Sequence, residues 1–499
     1  MIVSRLAAWR SVAVLAIVCL LAAACTGGSP SKTTGGGSPV AAHPSPRPNI
    51  VFILTDDLSM NLLPYMPHVQ ALARTGVTFN NYFVVDSLCC PSRSAIFTGQ
   101  YPHNNGVFRN TGADGGYHAY NRLGNEPKTF AIPIRTAGYR TGFMGKYLNG
   151  YAPTDRRAPG WSTWDGIGNG YPEYNYTINE NGKQVRYGDS PKDYLNNVLG
   201  AKASQFIQNA RNAGKPFALE VGTFTPHKPW IPAPHDVGTF PTLQVPRGPA
   251  FDRLPNNAPR WLRGFPPLSA SDIRANDQVF RLRVEAVQSV DRMIGQLQQV
   301  LAKTQELRNT YFVFSSDNGF HIGEYRLMPG KTTAFDTDIK VPLIVAGPGI
   351  PAGQTVNSIA TSIDLSSTFT QMVGTKPNDA VDGVSLLPLM RGAKAPANWQ
   401  QAVLIEHHGP VLNEKDPDVQ QSRAGNPPSY EAVRTATFLY VEYQTGDREY
   451  YDLVHDPNEL NNLAGLLPAL RQQQLHKLLA GLEACHGAPA CQAAAASAG

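Results

Sequence analysis

Two hydrophobic patterns alternate along the chain. Asn49-Ile50-Val51-Phe52-Ile53-Leu54, Phe217-Ala218-Leu219-Glu220-Val221, Tyr311-Phe312-Val313-Phe314 and Val341-Pro342-Leu343-Ile344-Val345 are apolar at nearly every position, as strands covered on both faces are. Tyr139-Arg140-Thr141-Gly142-Phe143 reads as a further strand. From near Ser271 the period changes. Val279, Leu282, Ala286, Val290, Ile294, Leu297 and Leu301 recur at steps of three or four, which predicts a long helix with one apolar stripe, assigned here to core support. Strand-like and helical runs in alternation predict an α/β fold built on a mainly parallel sheet.

Polar residues cluster where those runs stop. The first ends in Thr55-Asp56-Asp57 and another in Ser315-Ser316-Asp317-Asn318-Gly319. Such pairs often only make Asx turns. They also lie at the strand ends where open α/β sheets bind ligands. Asp56, Asp57, Asp317 and Asn318 offer oxygen donors alone, which suits Ca²⁺ or Mg²⁺ better than zinc. Cys89-Cys90-Pro91-Ser92-Arg93, followed by Thr98-Gly99, reads as a short helix with Pro91 in its first turn and Gly99 at its end, its N-terminus suited to an anion. Lys146, His227 and Lys331 each sit in a loop-like segment next to a strand candidate. Alone, such residues are usually just solvated.

The Cys-x-Pro-Ser-Arg pattern with Thr-Gly five residues on resembles the signature of the type-I sulfatases, and the acidic pairs flank it in that family's order. The resemblance runs from Pro48 to Leu463 and takes in Val381-Asp382-Gly383 and Tyr451-Asp452-Leu453. It implies an alkaline-phosphatase-like domain with helices flanking the sheet, followed by a smaller C-terminal α+β domain. It further implies that Cys89 is oxidised to formylglycine by a formylglycine-generating enzyme, and that one hydroxyl of the aldehyde hydrate attacks sulfur while the other later expels sulfate. Asp56, Asp57, Asp317, Asn318 and the modified Cys89 would hold one Ca²⁺, with Mg²⁺ the alternative. Arg93 would orient the hydrate, Lys146 and Lys331 bind sulfate, and His227 protonate the departing alcohol. One departure stands out: many sulfatases carry a histidine where this chain has Leu148, and His321 is the candidate substitute or a substrate contact.

Tyr174-Asn175-Tyr176-Thr177-Ile178-Asn179, Asp193-Tyr194-Leu195 and Gly145-Lys146-Tyr147-Leu148-Asn149 resemble the branch of N-acetylglucosamine-6-sulfatases and heparan 6-O-endosulfatases. That branch implies a sulfated carbohydrate such as N-acetylglucosamine-6-sulfate or a glycosaminoglycan. Tyr174, Asn175 and Tyr176, whose aromatic and amide side chains suit sugar faces and hydroxyls, are candidate contacts at the pocket rim, and His407 and His408 are candidates to extend the site from the C-terminal domain. Other readings are an arylsulfatase, a phosphatase or phosphonate monoester hydrolase of the same fold, and a catalytically silent carbohydrate-binding relative.

At the N-terminus, Arg5 and Arg10 precede an apolar stretch, Val12 to Ala24, too short for a comfortable membrane span, which reads as a secretory signal over residues 1–24. Leu21-Ala22-Ala23-Ala24-Cys25 resembles a lipoprotein processing site, giving an exported protein held to a membrane by a lipid on Cys25. The Gly, Ser, Thr and Pro residues of 25–47 form a tether. The catalytic domain is placed at 48–392 and the smaller domain and tail at 393–499, with two cores expected from the length. The formal charge of +5, or +3 without Arg5 and Arg10, is no nucleic-acid footprint. Cys485 and Cys491 are spaced to pair in an oxidising compartment, and the Ala-rich end after Cys491 is expected to be disordered.

Overall fold

A computed structural model describes residues 47–421 and 423–498. The leader, Cys19, Cys25 and the tether up to residue 46 lie outside the described residues. Five strands form the parallel centre of a ten-stranded sheet, in spatial order Thr310–Ser316, Asn49–Thr55, Phe217–Gly222, Arg140–Lys146 and Thr163–Ile167. Leu343–Ala346 pairs antiparallel with Thr310–Ser316 on one side, and Thr177–Glu180 antiparallel with Thr163–Ile167 on the other. The apolar runs 49–54, 217–221 and 311–314 are thus strands buried on both faces, one to three residues longer than the runs themselves. Parallel register brings Thr55, Ser316, Lys146 and Gly222 to the same end of the sheet.

Each face of the sheet carries its own core, one with Phe52, Phe97, Phe143 and Phe369, the other with Val51, Ile53, Leu219 and Phe312. The long helix, Ala270–Lys303, covers the second. Ser269 and Asp272 cap its start reciprocally, each side chain bonding the other's backbone N–H. Phe280, Val284, Val287, Val290, Ile294, Leu297 and Leu301 are buried. Val279 and Leu282 are only half-buried, because the inward face is turned to admit Arg283, a fully buried side chain.

A second sheet, Ala402–His407, Tyr430–Thr435, Phe438–Tyr443 and Arg448–Asp452, is antiparallel throughout. Its Val403, Ile405, Val433 and Tyr440 join the buried cluster that holds Phe97 and Phe369. The chain reaches it from helix Leu387–Met390 through residues 391–401, which contain no helix or strand. Cys485 and Cys491 form a disulfide with 4.9 Å between Cα atoms. The Ala-rich end does not follow the expectation of disorder: Ala488–Ala496 is a helix, with Cys491 and Ala495 buried. Alanine has the highest helix propensity, and the disulfide pins the first turn against the preceding helix, Ala469–Glu483. Among the described residues, no helix is long and apolar enough to cross a membrane.

One backbone contact holds the site's end of the sheet. Gly145 has φ +101°, and a Cβ there would lie 1.9 Å from the Gly222 carbonyl oxygen. Gly145→Ala should therefore lower stability by about 2–3 kcal/mol or more, read as a drop in urea midpoint, and should reduce turnover because Lys146 is the next residue.

Candidate active site

Every group drawn from the ends of the central strands converges on Cys89. The helix Cys89–Thr98 is buried over all ten residues and ends at Gly99 with φ 69°, the left-handed C-terminal stop expected of glycine. The Cys89 thiol donates to Asp56 Oδ1 at 3.0 Å and accepts from Lys331 Nζ at 2.8 Å. Arg93, one turn on, donates from Nε to Asp317 Oδ2 at 2.7 Å and from a terminal nitrogen to the Lys146 carbonyl at 2.8 Å. Lys146 pairs with Asp56. Lys331 pairs with Asp57 Oδ1 at 2.6 Å, and Asn318 Nδ2 donates to the same oxygen at 2.7 Å.

Burial governs the electrostatics. It pushes the Cys89 thiol well above its ordinary pKa, with Asp418 and Asp56 adding to the shift, so the unmodified thiol is a poor nucleophile. Burial would also raise Asp56, but Lys146, His227, Arg93 and Lys331 overcome it and hold the carboxylate ionised. Asp317 is pushed up to about 6 by burial and by Asp56, against the pull of Arg93. Burial would discharge His227, yet Asp418, Asp57 and Asp56 raise its pKa and favour the imidazolium.

Groups able to hold a cation meet at this point. Asp56, Asp57, Cys89 and His227 each place a possible ligand atom within 4.8 Å of the others, and the Asp57 amide bonds Asp317 Oδ1 at 3.2 Å. Asn318 Oδ1 is buried without a hydrogen-bond partner, an oxygen left over among carboxylates that would complete an all-oxygen shell.

Two residues at the site escaped the sequence reading. Arg283 donates to the Asp57 carbonyl at 2.6 Å and sits 4.0 Å over the Phe320 ring. It fixes the turn in which Asp57 adopts φ 64°, so the long helix does more than support the core. Asp418 accepts from His227 Nε2 at 2.6 Å and forms an ion pair with Lys331 Nζ at 2.7 Å. These two cations hold its carboxyl well below the usual range although burial alone would raise it. No periodicity marks either residue; the only local sign for Asp418 is Asp416-Pro417-Asp418, an ordinary turn sequence. Tyr171 is a lesser omission, its ring 4.6 Å from that of His227 and 5.1 Å from Lys146 Nζ.

The remaining candidates lie apart from Cys89. Leu148 is buried in the core. His321 has both nitrogens engaged, Nδ1 with Asp338 at 2.9 Å and Nε2 with the Ala424 carbonyl at 2.9 Å, which leaves none for a hydrate or substrate; the imidazole beside Cys89 is His227. His407 is buried against Tyr430, 3.6 Å from Asp86, and burial lowers its pKa to about 3. Tyr174 packs edge-on against Tyr194, and Asn175 is exposed at φ 54°. His408 stacks on Phe108.

A cavity of about 190 Å³ opens beside the cluster, lined by Asp57, Lys228, Trp230, Phe320, Lys331 and Asp418 among others. A larger one, about 540 Å³, lies on the second sheet among Glu431, Glu442 and Glu483. Its wall mixes those carboxylates with Arg109, His408 and His476 and holds none of the residues around Cys89, whereas the smaller cavity reaches Lys228 and Lys331.

Residues 48–375 match the family model described as Sulfatase, and residues 323–484 that described as N-sulphoglucosamine sulphohydrolase, C-terminal. A Homo sapiens protein named N-acetylglucosamine-6-sulfatase is 35% identical over 480 residues, covering 89% of this chain and 86% of its own. A Bacteroides thetaiotaomicron N-acetylglucosamine-6-O-sulfatase is 26% identical over 505 residues, covering 87% and 86%. Two solved structures share the fold. One, a complex with D-glucosamine-2-N,6-O-disulfate, has TM-score 0.73 and 24% identity over 87% of this chain and 97% of its own. The phosphonate monoester hydrolase of Agrobacterium radiobacter has TM-score 0.66 and 23% identity over 87% and 95%. With the family model spanning most of the chain and its motif residues gathered around Cys89, this chain belongs to the sulfatase family and is a sulfuric ester hydrolase of alkaline-phosphatase-like fold.

Proposed function

We propose that the protein removes sulfate from a sulfated sugar, most simply a 6-O-sulfated N-acetylglucosamine unit, at the site built on Cys89. The observation that carries this reading is the convergence of Arg93, Lys146, His227 and Lys331, four buried cations or proton donors, on one cysteine in a family of sulfate-ester hydrolases. The sugar assignment rests on the relatives, the 35% identical N-acetylglucosamine-6-sulfatase above all.

Oxidised to formylglycine, Cys89 would supply a hydrate with a second hydroxyl, so that a sulfated intermediate can collapse without water attacking sulfur. A Ca²⁺ or Mg²⁺ held by Asp56, Asp57, Asp317 and Asn318 would polarise oxygen at the same point. The chain's own groups do the rest. Lys331 and Lys146 neutralise sulfate oxygens, and Arg93, fixed by Asp317, orients residue 89. His227 Nδ1 lies 2.7 Å from the Lys228 carbonyl, to which it donates, so Nε2 is the atom that gives its proton to the departing alcohol oxygen.

Export follows the same reading. A glycosaminoglycan cannot enter a cell, the Cys485–Cys491 disulfide suits an oxidising compartment, and the leader with Cys25 would deliver the enzyme outside, tethered by lipid or free.

Cleavage after Arg93 yields the peptide whose mass tests maturation: it should be lighter than the thiol form, and a peptide wholly in the thiol form in an active preparation would exclude formylglycine. Cys89→Ala should lower turnover by about a thousandfold or more, whereas Cys90→Ser, altering a buried residue whose sulfur lies 4.0 Å from the Ser94 hydroxyl, should leave most of it. Chelation should abolish activity and added Ca²⁺ restore it, while Asp317→Ala should stay inactive at any Ca²⁺ concentration with its circular dichroism unchanged. Sulfate release from N-acetylglucosamine-6-sulfate should exceed release from an aryl sulfate, and turnover of phosphonate monoesters alone would favour the other chemistry of this fold.

A further inference from the structure

Asp418 has no task in the chemistry proposed above, yet it sits where the substrate's charge should go. His227 Nε2, the nitrogen that would face a leaving group, hydrogen-bonds Asp418 Oδ1 at 2.6 Å, and Lys331 Nζ, which would face sulfate, forms an ion pair with the same oxygen at 2.7 Å. Its other oxygen accepts from Asn110 at 2.6 Å and from Asn149 at 3.4 Å. Asn110 in turn accepts from the Cys90 amide at 3.0 Å, at the start of the cysteine helix. Arg93, Lys146 and Lys331 pair with Asp317, Asp56 and Asp57, and Asp418 brings a further negative charge to Lys331 and to the His227 imidazole. A sulfate ester would bring that charge itself.

Access points the same way. Cys89 is 0% exposed, Lys331 1% and His227 4%, and the wall of the adjoining cavity includes Asp418, Val419, Gln420 and Gln421. These residues belong to a strap, residues 410–421, which contains no helix or strand and runs between strands Ala402–His407 and Tyr430–Thr435. The Asp418 contacts are its main anchor; beyond them it is held by Lys228 Nζ to the Val419 carbonyl at 3.1 Å, Asn413 to Thr111 at 3.1 Å, and Asn110 to Asp416 at 3.2 Å. Residues 412–415 are exposed.

We propose that the 410–421 strap is an autoinhibitory closure, in which the Asp418 carboxylate occupies the subsite of the substrate's sulfate group and a sulfate ester binds by displacing it. The proposal rests on the reading of the site as a sulfate-ester site. A carboxylate and a sulfate offer the same acceptor oxygens to the same two donors, so both cannot be held there at once. It differs from a positioning role, in which Asp418 would stay on His227 and hold its proton throughout the reaction.

Calorimetric titration of inorganic sulfate into the full chain tests the closure without relying on turnover. Replacing the competitor in Asp418→Asn and Asp418→Ala should tighten sulfate binding by about tenfold or more, the worth of a charge-assisted hydrogen bond. Glu414→Gln, at an exposed strap position, should bind like the wild type. Folding of each variant is checked by thermal melting. A second measurement needs no variant: saturating sulfate should speed hydrogen exchange of the backbone amides of residues 413–421 in the wild type. Sulfate affinity unchanged or weakened in folded Asp418 variants, or strap exchange unchanged or slowed by sulfate, would overturn the closure. Wild-type protein that hydrolyses no sulfate ester, while its Asp418 variants still bind sulfate more tightly, would sink the substrate reading and leave the closure standing.

Discussion

Charge without water is the condition on which the rest of this structure depends. Asp56, Asp317 and Arg93 have no measurable exposure, and Asp57, Lys146 and Lys331 have 2% or less. An isolated ion in such surroundings is strongly disfavoured, and losing one partner of a buried pair typically costs about 3–5 kcal/mol. The pairs therefore have to be present together, and each partner comes from a different stretch of sequence. Arg93 meets Asp317 across 224 residues and Lys331 meets Asp57 across 274. The site cannot assemble before the sheet does, and the sheet closes around charges that only each other can satisfy.

The parallel register makes that meeting geometrically possible. With Asn49–Thr55 flanked by Thr310–Ser316 and Phe217–Gly222, and Arg140–Lys146 one strand further, the acidic turns and Lys146 emerge on one edge. Close approach does the rest. Gly145 lets its strand press on the Gly222 carbonyl, and at Gly222 itself a Cβ would stand 3.1 Å from the Arg93 guanidinium. Small residues under a large buried cation are how a strand edge makes room for chemistry.

How legible this was in the sequence varied with the kind of signal. Strands buried on both faces announce themselves as unbroken apolar runs, so Asn49–Thr55 and Thr310–Ser316 and the acidic turns after them could be read directly. The grouping of Lys146, His227 and Lys331 came from the order of motifs, since nothing local separates them from solvated residues. Arg283 was hidden because an arginine among helical residues reads as surface, and only the tertiary position of Asp57 turns it inward. Asp418 was hidden because a carboxylate in an irregular segment carries no period. His321 misled for the opposite reason: it follows Asp317-Asn318 closely in sequence, but the chain turns there to form a bridge with Gly330 and delivers the ring to Asp338. The Ala-rich tail misled because composition does not show that the helix holding Cys491 runs on and buries Ala495.

The second sheet ends in a strand, Ala402–His407, with a neighbour on one side only. Two of the amides along and just before its open side are nevertheless taken: Glu406 donates to the Val85 carbonyl at 2.8 Å, and Gln401 to the Ala495 carbonyl at 3.1 Å. The first acceptor lies four residues before Cys89, and the second in the tail helix beyond the disulfide. A sheet edge stripped of such cover is a template for another copy of the same strand. The C-terminal portion expressed alone, or the whole chain cut short of residue 488, would carry a sticky border and gather into aggregates. What looks like a trailing end thus works as a guard against self-association.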